Sequence, residues 1–90
     1  MSNATTNDIG HVRYVSTPND FAIEVTGTHG STRAWGVCKW VEPYVIWSAF
    51  VASDGETHWS CDDGHHDYST AVATATSRAE WYSALVRGEL

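Results

Sequence analysis

Apolar and polar positions alternate through 21–26, with Phe21, Ile23 and Val25 pointing one way and Ala22, Glu24 and Thr26 the other. That period of two is the mark of a half-buried strand. Ahead of it, 11–17 (HVRYVST) reads as a shorter strand stopped by Pro18-Asn19-Asp20, where proline can take the first central position of a turn. Thr28-His29-Gly30-Ser31 reads as a loop. The two longest strand candidates follow, 33–41 and 44–53, joined around Glu42-Pro43. Asp54-Gly55 predicts a two-residue hairpin turn, and 56–61 the returning strand. After a charged loop over 62–67 the period lengthens to 3.6. Tyr68, Ala71, Val72, Ala75, Ala79, Tyr82 and Leu85 make one apolar stripe. Asp67 or Ser69 can cap its start, Gly88 can end it, and Arg87 suits the negative end of its dipole. The pattern predicts an α+β domain over 11–90, preceded by a flexible arm over 1–10: an antiparallel meander of four to five strands, packed on one face by a single C-terminal helix over about 69–87.

Register distributes the five tryptophans. A two-residue loop at Asp54-Gly55 pairs Phe50 with Trp59, and a two- or four-residue joint at Glu42-Pro43 sets Trp35 opposite Phe50. One face then carries Trp35, Val37, Val41, Tyr44, Ile46, Phe50, Trp59 and Cys61. The other carries Ala34, Gly36, Cys38, Trp40, Val45, Trp47, Ala49 and Val51. The first is bulkier and suits a helix stripe built on alanines, so it is assigned to the core. The second is also apolar, yet one helix covers one face. Two Trp and two Val left in water forgo roughly 1.5–3 kcal/mol each relative to burial, which makes a contiguous patch an interaction site. Trp40, Trp47, Val45 and Val51 are its expected anchors, against a second copy or a protein partner. The competing explanation is that the N-terminal arm or the first strand folds across this face.

Ninety residues suffice for one domain, and a hydrophobic content of 42% provides a packed interior. Eleven acids against four Arg and one Lys leave a net charge of −6, which disfavours phosphate backbones and anionic membranes as partners. No apolar run is long enough to span a membrane, no signal-peptide pattern opens the chain, and two cysteines are too few for a disulfide scaffold. A cytoplasmic protein with reduced thiols is expected. Ten Ala, one Lys and no Gln suggest a GC-rich coding source such as an actinobacterium or its phages. The acids Asp54, Glu56, Asp62, Asp63 and Asp67 form a candidate acidic edge that a basic partner could meet, as for a phage-encoded inhibitor.

Candidate chemistry is sparse. His58, Cys61, His65 and His66 are the one zinc-like cluster. In a strand, however, His58 and Cys61 point to opposite faces and the paired spacings of recognised zinc motifs are absent. No metal and no cofactor are expected; a zinc-binding loop at 58–66 is the alternative. Cys38 sits mid-strand among apolar residues, where a thiol is inert, and there is no nucleophile elbow or phosphate loop. The chain is expected not to be an enzyme.

One resemblance rests on the order strand, strand, strand, helix over 33–82, with Gly36-Val37, Trp47-x-Ala49, Asp54-Gly55, and Ala71 and Ala75 in the helix. This arrangement resembles the AP2-type and integrase amino-terminal DNA-binding domains. It implies a sheet lying in the major groove, with Arg13, Arg33, Lys39 and Trp47 as contacts. The leading expectation remains a non-catalytic interaction module.

Overall fold

Five strands run in chain order across one antiparallel sheet: β1 (Val12–Thr17), β2 (Asp20–Thr26), β3 (Thr32–Cys38), β4 (Tyr44–Val51) and β5 (Thr57–His65). One helix among the described residues, α1 (Tyr68–Val86), packs across one face, giving the α+β meander that the periodicities predict. The computed structural model describes residues 9–17, 20–38 and 44–89, so the Glu42-Pro43 joint, Lys39, Trp40, Val41 and residues 1–8 lie outside the described residues.

The core is a mismatch of sizes that fits. Ala71, Ala75 and Ala79 present a flat, fully buried helix row to Ile23, Val25, Trp35, Val37 and Ile46 on the sheet. Small helix residues let the helix settle close enough to cover the large ones. The buried row continues to Ser83 rather than to Leu85, which is 44% exposed. A row spaced every four residues turns by about 40° per step around a 3.6-residue helix. By the last turn the seam has rotated away from Leu85.

Both helix ends are closed. The Asp67 carboxylate accepts from the Thr70 N–H at 2.9 Å and from the Thr70 hydroxyl at 2.8 Å. At the other end Gly88, at a φ of 78°, donates to the Leu85 carbonyl, and Glu89 donates to that of Ala84. This is the paired closure that a left-handed glycine permits. Gly10, placed by sequence in the N-terminal arm, is held in the fold. Its N–H donates to the Thr26 carbonyl at 2.7 Å, and its carbonyl accepts from the Ser83 hydroxyl and from Arg87.

The Thr70 hydrogen bonds, side chain first and backbone second, hold the Asp67 carboxyl below its usual value of 3.8. A depressed folded-state pKa means the capping contribution is complete above the unfolded value and lost as pH falls through the folded one. Asparagine caps about as well without titrating. The melting temperature of the native protein should therefore fall more steeply below pH ~4 than that of Asp67→Asn. Parallel melting curves for the two proteins across that range would show that the cap contributes nothing that depends on charge.

The β4–β5 hairpin departs from expectation. Gly55, at a φ of 91°, donates to the Ala52 carbonyl, while the Ala52 N–H donates to Glu56 and the Asp54 carboxylate accepts from the Glu56 N–H. The loop is therefore three residues, Ser53-Asp54-Gly55, with the glycine in the left-handed position of a bulged hairpin. Phe50 pairs with His58 and Ala49 with Trp59, one step from the expected register. Because side chains alternate, that step moves Trp59 and Cys61 from the core face to the opposite face. Trp35 pairs with Ser48 rather than Phe50, a shift of two that leaves its face unchanged. β5 also runs on to His65, so 62–65 is strand rather than loop. An irregularity opposite Ile46 lets the chain continue pairing with Tyr44 and Val45.

Candidate functional site

The face of the sheet away from α1 is uncovered by any described residue. β1 lies beside β2 as an edge strand, so it does not fold across this face. Two rows of paired residues define the surface. One runs Val15, Ala22, Gly36, Trp47, Cys61; the next runs Arg13, Glu24, Ala34, Ala49, Trp59. Ala22 and Ala34 make a low shelf on β2 and β3, bordered by the Arg13–Glu24 ion pair on one side and by the two indoles of β4 and β5 on the other.

Gly36 explains how Trp47 sits. The indole lies across the glycine from the neighbouring strand, and a Cβ at Gly36 would overlap its Cζ2 and Cε2 atoms. With that ring laid flat, Trp59 leans against it, ring centroids 5.6 Å apart and planes inclined by 59°. Tilted stacking of this kind adds to the area each ring buries. Ala49 is covered beneath the pair, yet Trp59 itself remains 70% exposed. Val45 and Val51 are half-buried on the same face. Of the four expected anchors, Trp47, Val45 and Val51 therefore share the open face, and Trp40 lies outside the described residues. Trp59 was missed as an anchor because the two-residue turn placed it in the core; the serine before Asp54-Gly55 is compatible with either loop length.

The expected acidic edge is spread along β5, one of the sheet's two edge strands. Asp54 and Glu56 stand at its start and Asp67 just past its end, roughly 30 Å apart at strand spacing. Asp67 is committed to capping the helix, and Asp54 to the turn. The Glu56 carboxylate lies 3.5 Å from the His58 Nε2. Asp62 and Asp63 fall within β5 itself. Charge at a sheet edge discourages pairing with another chain's strand.

The zinc-like residues diverge. His58 pairs with Phe50 on the helix side, and its ring lies 6.5 Å from that of Phe50. Cys61 pairs with Trp47 on the open face. His65 pairs with Tyr44, and its Nε2 is enclosed without a hydrogen-bond partner among the described residues. No three His, Cys, Asp or Glu side chains converge among the described residues. The residues implied by the DNA-binding resemblance separate too. Arg33 stacks on Trp35 and Tyr82 on the helix side, Arg13 pairs with Glu24 at 3.3 Å on the open face three strands away from Trp47, and Lys39 lies outside the described residues.

These features define a two-layer α+β meander with a tryptophan-bearing open face. The chain matches no protein-family model, no curated protein and no solved structure. No described helix is long and apolar enough to cross a membrane.

Proposed function

We propose that this protein is a small non-catalytic interaction module that buries its open sheet face against a second copy of itself. The observation that carries the reading is the Trp47–Trp59 stack, with Trp59 exposed, on a face that also carries Ala22, Ala34, Val45 and Val51 beside the Arg13–Glu24 ion pair. Aromatic anchors of this kind supply most of the energy of an interface from few positions. Self-association is favoured by shape. Under a two-fold axis, the protruding Trp59 of one copy meets the low surface of Ala22 and Ala34 on the other, and the contact is repeated symmetrically.

Size sets the expected strength. Five strands about 4.8 Å apart and some 20 Å long offer roughly 500 Å² a side. That is the range of weak, reversible contacts, so dissociation in the micromolar range is expected. Trp59→Ala should weaken association by at least about 30-fold, the effect of losing a central anchor worth about 2 kcal/mol. Because Trp59 is largely exposed, the variant should keep the native fold. Sedimentation equilibrium on both proteins measures this; equal association constants would remove Trp59 from the interface.

A further inference from the structure

On the opposite side of the sheet from the Trp47–Trp59 face, α1 crosses diagonally. Its start packs Tyr68 on Tyr44, and its last turn ties Ser83 to Gly10. The diagonal leaves a cleft of about 460 Å³ between one flank of the helix and the top of β3. Arg33 and Trp35 form its floor, and Arg78, Trp81 and Tyr82 form its helical wall, with the Thr74 and Ser77 hydroxyls beside them.

Three features of this cleft are unexplained by folding. First, its sign is reversed: the chain has eleven acids against five cations, yet two arginines and no Asp or Glu line the cleft. Second, Arg33 differs from Arg13 and Arg87, each of which is paired with a glutamate. Its guanidinium carbon lies 5.6 Å from the centroid of Trp35 and 5.2 Å from that of Tyr82, and no carboxylate among the described residues pairs with it. Resting against two rings, the exposed guanidinium keeps its N–H donors still to be used, a fork for a carboxylate or phosphate. Third, Trp81 is 59% exposed, an indole that the core does not need. It stands as an open stacking wall across from that fork.

We infer that this cleft binds a small planar aromatic anion, its carboxylate or phosphate on the Arg33 guanidinium and its ring against Trp81. The volume lies within the range of small-molecule sites and suits a ligand of one or two rings. Such a ligand supplies a negative charge to the Arg33 guanidinium and covers the indole. Arg33 sets the requirement for an anion, and Trp81 the requirement for a ring. This site is independent of the self-association proposed above, because the two lie on opposite faces of the sheet.

The test is a titration of the labelled full chain with phenyl phosphate and with benzoate, following the Trp81 indole N–H signal, assigned by its loss in Trp81→Phe. Inorganic phosphate and benzyl alcohol serve as the anion without the ring and the ring without the anion. A saturable shift with phenyl phosphate, benzoate or both is expected, and the stronger arm identifies the anionic group. Each half-ligand should bind about tenfold or more weakly, as should Arg33→Gln, which removes the charge-assisted pair. Trp81→Ala alters an exposed ring and should keep the fold while losing affinity for the aromatic anions, followed by the Arg33 side-chain N–H signal; it decides the matter if Arg33→Gln does not fold. Trp59→Ala should bind normally. No saturable shift with either aromatic anion, benzyl alcohol binding as well as they do, or unchanged affinity in both cleft variants would each overturn the proposal.

Discussion

Ile46→Ala should destabilise the fold by about 2–5 kcal/mol, the cost of a cavity in a core that cannot collapse around it. Ile46 is completely buried, in β4 beneath the alanine row of α1. For a chain of this length the melting temperature should fall by about 10 °C or more. Leu85→Ala is the informative companion. It lies on the apolar stripe that the sequence predicts, but the structure leaves it 44% exposed, so its removal should change stability by less than about 0.5 kcal/mol. Chemical denaturation of the two variants gives the comparison. Comparable losses at both positions would mean that the buried seam of α1 runs through Leu85 after all.

The second large effect is expected at Gly36. Gly36→Val places a branched side chain where the Trp47 ring lies, so either the indole is expelled into solvent or β3 and β4 separate. Overpacking of this kind costs about 1–3 kcal/mol, even though valine is the better strand former. The same substitution should break the Trp47–Trp59 contact and weaken self-association with it. Stability equal to that of the native protein would mean that Trp47 can leave Gly36 without loss, and the open face would then have no fixed geometry.

How far the sequence reveals this fold follows from which signals are local. Alternation in 21–26, the 3.6-residue stripe and the flanking Asp67 and Gly88 are each set within a few residues, and the elements they predict are present. Which face of the sheet meets the helix was also legible, because Trp35, Val37 and Ile46 are bulky where the helix is small. Turn length was not. Ser53-Asp54-Gly55 satisfies a two-residue and a three-residue hairpin equally well, and only the pairing of the whole of β4 selects the longer loop. That one residue carries Trp59 and Cys61 from one side of the sheet to the other. The site inherits the error: Trp47, Val45 and Val51 were legible as an open-face group, whereas the Trp59 stack was not. Arg33 and Trp81 converge only through the diagonal crossing of α1, which no local pattern encodes.

If the open face holds two copies together, self-association should respond to salt in a direction set by the charge of the chain. Each copy carries a net charge of −6, so two copies repel, and added salt screens that repulsion while leaving apolar burial intact. Sedimentation equilibrium across the micromolar range, repeated from low salt to above about 0.1 M, should show a reversible dimer that tightens with salt, and Trp59→Ala should weaken it by at least about 30-fold at every salt concentration. A protein that stays monomeric throughout, or a dimer that loosens with salt and is indifferent to Trp59, would mean that the open face does not hold two copies together.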